Sequence, residues 1–145
     1  MDLKNLLNDG RIKEHTPSKQ EIKQLLAVFD RDITDAQIEI LSTDRKFSTA
    51  YNAALTIARI ALVSSGYRTT GEGSHYWTIQ ALAFILPLDT SLIRKFDKFR
   101  QKRNISGYEM TGMISEQDTK EMIDLAREIH SVVLKWLSEN HPEFI

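Results

Sequence analysis

Ser42 to Gly66 reads STDRKFSTAYNAALTIARIALVSSG, and the spacing of its apolar residues decides the fold. Phe47, Tyr51, Ala54, Leu55, Ala58 and Leu62 share one face of a helix, while Ala50, Ala53, Ile57, Ile60 and Ser64 make a second apolar or small face. A helix with two such faces must be covered on both, which makes it the central helix of a bundle, its alanines letting neighbours come close. Ser42-Thr43-Asp44 is its start signal and Gly66 its stop.

Helices are predicted on either side of it. Ser18 and Glu21 have the S-x-x-E form of a capping box, and Ile22, Leu25, Leu26, Phe29, Ile33, Ala36 and Ile40 follow at heptad-like spacing, predicting a helix of about twenty residues that bends near Asp30-Arg31-Asp32. Residues 1–17 read as an N-terminal turn or short helix around Leu3, Leu6 and Leu7. Tyr67 to Gly73, YRTTGEG, reads as a loop, and Ser74 as the cap of a third helix that runs to Pro87. Asp89-Thr90-Ser91 opens a fourth, ending near Gly107. Ile105 to Ile114 reads as a loop, and Ser115 to Asp118 caps a last helix bearing Met122, Leu125, Ala126, Ile129, Val132, Val133, Trp136 and Leu137. No strand-like alternation, repeat or linker appears. The expectation is all-α: one domain over 1–145, with an antiparallel up-and-down bundle of about five helices over 18–141.

At 145 residues, 41% hydrophobic and 27% charged, the chain has the composition of a globular domain. There is no cysteine, so disulfides and thiolate metal sites are excluded. The four histidines, at 15, 75, 130 and 141, lack metal-ligand spacing, and neither a metal nor a cofactor is expected. MDLKNLLNDG lacks the layout of a signal peptide, and no uncharged run is long enough to span a membrane, so a cytoplasmic protein is expected.

One segment breaks the pattern. Leu92, Phe96 and Phe99 form an apolar stripe whose next occupant is Arg103. From Arg94 to Arg103 there are six cations (Arg94, Lys95, Lys98, Arg100, Lys102, Arg103) against Asp97, or +5, in a chain of net charge −1, which leaves −6 elsewhere. Arg103 offers a rigid fork for a phosphate, and Asn104 offers an amide to orient an oxygen. The plainer readings are that Arg103 pairs with Glu109 or Glu128, that its stem covers apolar surface, and that the basic run is a solvated face.

With that order of elements, the chain resembles the HEPN superfamily of small helical domains. The resemblance is carried by AYNAALTIARIALVSSGYR (Ala50 to Arg68), GSHYWTIQAL (Gly73 to Leu82) and FRQKRNISGY (Phe99 to Tyr108), followed by DTKEMIDLAREIHSVVLKWL (Asp118 to Leu137). The family signature is an arginine, four to six residues, then a histidine; here Arg103 and Asn104 match, and Tyr108 stands in the place of the histidine. The resemblance implies a homodimer whose signature residues line a shared cleft, where RNA is cut without a metal by its own 2′-hydroxyl. It also implies a place in toxin–antitoxin or defence systems, often beside a nucleotidyltransferase. Members that have lost the histidine are thought to bind RNA or a partner without cutting.

The catalytic candidates are thus Arg103, Asn104 and Tyr108, and the nucleic-acid-binding candidates are Arg94, Lys95, Lys98, Arg100, Lys102 and His75. A phenol of pKa ~10 starts about three units worse than histidine as a base. On an unbroken helix Tyr108 lies ~140° from Arg103, so the two meet only if the helix loosens near Gly107. His75 is the other candidate base, or part of a cap. His130 is expected at the edge of the core or a dimer seam, and Trp77 and Trp136 as core or interface anchors. YRTTGEG follows a helix and lacks a Lys-Ser/Thr ending, which argues against a phosphate-cradling loop. An RNA-binding protein with residual ribonuclease activity is one reading. A non-catalytic module that dimerises or docks a nucleotidyltransferase is the other.

Overall fold

The computed structural model describes residues 1–108 and 113–145, with side chains at 1–104 and 113–145. Among the described residues there are six α-helices: α1 (Leu3–Asn8), α2 (Lys19–Asp35), α3 (Thr43–Ser64), α4 (Ser74–Ala81), α5 (Thr90–Tyr108) and α6 (Glu116–Asn140). Two short strands, β1 (Ile12–Glu14) and β2 (Tyr67–Thr69), complete the architecture with 3₁₀ turns at Leu82–Phe84 and Pro142–Phe144. The fold is an all-α helical bundle, and among the described residues no helix is long and apolar enough to cross a membrane.

The centre is α3. Phe47, Ala50, Tyr51, Ala53, Ala54, Ile57, Ala58, Ile60 and Ala61 on it are all fully buried, so both of its predicted faces are covered. Each is capped or closed as its residues dictate: the Ser42 hydroxyl accepts from the Arg45 amide at 3.2 Å, and Gly66 follows the last turn with φ +94°. Phe29, Phe96, Met122, Leu125, Ile129 and Val133 close over α3 from α2, α5 and α6. Truncating Phe47 or Phe96 to alanine in such a core costs on the order of 3–5 kcal/mol.

Helix directions follow from the contacts. His15, just before α2, donates its amide to the Gly66 carbonyl at the end of α3, so α2 and α3 run antiparallel. Phe47 meets Phe99 while Tyr51 meets Phe96, so α3 and α5 are antiparallel too. The Thr119 hydroxyl donates to the Thr43 carbonyl at 3.4 Å, which brings the first turns of α6 and α3 to the same end of the bundle. The last helix therefore returns alongside the central one in the same direction.

Several local expectations are corrected. Tyr67 to Thr69 is not loop: it pairs antiparallel with β1 in the register Ile12 to Thr69, Lys13 to Arg68 and Glu14 to Tyr67. Three residues per strand are too few to show a period of two, and the pairing only fastens the N-terminal segment to the end of α3. The second helix stops at Asp35, and Ile40, expected on its buried face, is 94% exposed. Ser18 caps α2, but Glu21 does not close the box; its carboxylate meets His15 Nε2 at 2.9 and 3.0 Å instead. Ser74 is not the cap of α4. Gly73 holds that position with φ +74° and no side-chain bond. The helix α5 continues through Gly107 to Tyr108, so the first four residues of the expected Ile105 to Ile114 loop are helical.

Candidate functional site

The stripe on α5 behaves as its spacing requires. Phe96 is fully buried, Phe99 is 7% exposed, and Arg103, next on that row, is half-buried. Its guanidinium carbon lies 5.6 Å from the ring centroid of Tyr51 on α3. That is a cation–π contact, worth about 0.5–2 kcal/mol according to its exposure. Among the described residues Arg103 forms no ion pair, so the pairing with Glu128 is not made, and Glu109 lies outside them.

Tyr51 is the hub of the cluster. Its hydroxyl is 3.3 Å from Nδ1 of His75, on α4, and its ring packs edge-on against Phe96 at 5.9 Å. Burial pushes the phenol up to about 12, against the pull of the Arg103 and Arg100 charges, so it is protonated at neutral pH. His75 is shifted the other way: burial first, then the positive charges of Arg59, Arg103 and Arg100, hold its pKa below the usual histidine value and keep the ring neutral.

These two states assign the hydrogen bond. A buried phenol must donate its proton somewhere, and Nδ1 of His75 is its one acceptor among the described residues. Nδ1 therefore accepts and Nε2 carries the ring proton. In that tautomer the remaining polar atom of His75 is a donor. The imidazole is arranged to give a hydrogen bond to an anion rather than to take a proton from a hydroxyl.

Arg100 extends the cluster. It lies 5.3 Å over the ring of Tyr76, the neighbour of His75, while Asp97 accepts from its Nε at 2.7 Å and fixes its direction. Three helices thus bring together Tyr51, His75, Tyr76, Arg100 and Arg103, with Arg59 close enough to act on His75. Among the described residues no carboxylate other than Asp97 enters the group. The chemistry offered is positive charge with directed N–H donors, which suits a phosphate or another oxyanion.

The remaining candidates divide. Asn104 is half-buried beside Arg103, and its side chain makes no hydrogen bond to a described residue. The side chain of Tyr108 lies outside the described residues. Lys95 is 3.3 Å from Glu121 and 5.8 Å over the Phe99 ring, and Lys102 is 2.7 Å from Asp118. Arg94 and Lys98 are exposed and form no ion pair among the described residues. Half of the six cations are therefore already matched by acidic residues.

Outside the cluster, His130 borders the core, stacked on Phe29 with centroids 4.2 Å apart, and Arg11 covers the half-buried Trp77 at 4.9 Å. Trp136 is half-buried against His141 at 4.9 Å. Among the described residues no group of three His, Asp or Glu is placed to hold a metal. Sequence reasoning overlooked Tyr51, Tyr76 and Arg59. For Tyr51 there was a signal: a hydroxyl on the core stripe of a central helix requires a partner.

Compared with protein-family models, curated proteins and solved structures, the chain finds no match in any of the three.

Proposed function

We propose that this protein binds RNA in the manner of a HEPN domain, through a site centred on Arg103, and that it acts as a homodimer in which two such sites face one another. The observation that carries the reading is the placement of Arg103: a guanidinium on a core-facing row, held over Tyr51, beside a His75 whose free ring nitrogen is a donor. The half-buried Asn104 and the two exposed cations Arg94 and Lys98 supply further phosphate contacts. Binding is favoured over cutting, because neither a neutral His75 with Nε2 protonated nor a phenol at position 108 is a ready general base. Any cleavage would be weak and independent of metal. A role in a toxin–antitoxin or defence system, in the cytoplasm, goes with the same reading.

The test is RNA affinity by fluorescence anisotropy across a salt series, with Arg103→Ala as the variant. The wild type is expected to lose affinity steeply with salt, and the variant to lose about 1.5–3 kcal/mol, roughly ten- to 150-fold. Equal affinity in the two proteins would sink the reading. Labelled RNA incubated with a chelator present measures residual cutting in the same samples.

A second reading has its own support. The ion pairs of Lys95, Arg100 and Lys102 engage half of the basic run's cations within the bundle, which supports a module that holds a protein rather than RNA. Its partner would be a nucleotidyltransferase or a second copy. Recovery of one stoichiometric protein and no RNA from the native host would favour it.

A further inference from the structure

We propose that a second cleft, formed where α3 ends, β2 passes and α4 begins, binds a small ligand through a phosphate group. Arg59, Arg68, Thr69, Gly71 and Ser74 line it, and its volume is about 300 Å³. This is at the lower end of small-molecule sites, which span ~300–1,000 Å³, and suits a phosphate with an attached sugar rather than a large ligand.

The polar side chains of the lining are two guanidiniums and two hydroxyls. Among the described residues neither Arg59 nor Arg68 forms an ion pair and no carboxylate lines the cleft. The hydroxyls can be assigned. Thr78 donates to the Ser74 carbonyl at 2.7 Å, so in the 3.2 Å contact between Thr69 and Thr78 it is Thr69 that donates. The Thr69 proton is thus committed, whereas the Ser74 hydroxyl has no partner among the described residues and is free to donate. The cleft is thus lined by two guanidiniums without a carboxylate partner among the described residues and by one hydroxyl free to donate, beside the Thr69 oxygen, which can only accept.

The sheet adds an independent sign. Arg68 is directly opposite Lys13 in the β1–β2 register, and like charges in that position repel. A bound dianion would offset this repulsion. Leu62 and Val63 give the cleft an apolar wall on which a sugar can rest. The build differs from a phosphate-cradling glycine loop, since the charge comes from side chains on α3 and β2, which is why the YRTTGEG motif gave no sign of it.

This site does not depend on the RNA reading. The test is titration calorimetry of the full chain with inorganic phosphate, a nucleoside 5′-monophosphate and the matching nucleoside, on wild type, Arg59→Gln, Arg68→Gln and Arg103→Ala. Phosphate and the monophosphate are expected to bind and the nucleoside not to. Arg59→Gln and Arg68→Gln should each weaken the monophosphate at least tenfold. Because Arg59 and Arg68 are exposed, unaltered thermal unfolding should accompany these losses. No binding by wild type, equal binding of the nucleoside, or a loss confined to Arg103→Ala would each overturn the proposal.

Discussion

The Tyr51 hydroxyl stands 3.3 Å from Nδ1 of His75, and this contact joins the central helix to the short helix that carries the candidate site's only imidazole. It ties the protonation of one residue to the tautomer of the other. A phenol that cannot ionise at neutral pH donates, and the ring is left with its second nitrogen as a donor.

Tyr51→Phe is expected to remove that constraint without opening a cavity. The lost hydrogen bond should cost about 0.5–1.5 kcal/mol in urea unfolding. Ring nitrogen shifts of His75 should move from a single tautomer to a mixture. An unchanged tautomer in Tyr51→Phe would show that something else orients the ring.

The His75 pKa is lowered on folding, so between its folded and unfolded values the unfolded chain binds the extra proton. The neutral ring's contribution is present above the unfolded value, near pH 6.5, and is lost as pH falls toward the lower folded value. Arg103→Gln removes one of the charges that depress it, so an NMR titration of the variant should give a higher midpoint than the wild type. A lower midpoint would contradict the placement of Arg103.

Asp118, in the first turn of α6, closes the capping box by accepting from the Ser115 amide at 3.0 Å and also holds Lys102 at 2.7 Å. Burial disfavours its charge, but the contacts with Lys102 and Ser115 outweigh this and bring its pKa below the usual carboxylate range. Its contribution is present above the unfolded carboxylate value and is lost as pH falls through the lower folded one. Asp118→Asn should therefore flatten the acid limb of the stability curve and cost about 1 kcal/mol at neutral pH. If the basic helix meets RNA, freeing Lys102 should also steepen the salt slope by about one unit.

Gly66→Ala tests the junction between α3 and the sheet. A Cβ there would sit 3.8 Å from the His15 carbonyl, an ordinary contact, so space is not the obstacle; φ of +94° is. A loss of roughly 1–2 kcal/mol is expected in thermal or urea unfolding. A neutral substitution would mean that the chain has another way to leave the helix.

By itself the sequence determined the helices and the direction of Arg103. Both depend on local spacing: Ser18, Ser42 and Ser115 cap the helices they precede, α3 is covered on both sides, and the row through Phe96 and Phe99 reaches Arg103 half-buried. Only the tertiary structure decided what that arginine meets. Tyr51 and His75 are 24 residues apart, and Lys95 and Glu121 are 26 apart. The pairing of β1 with β2 was hidden for the same reason, since partners set by how helices pack leave no period in the chain.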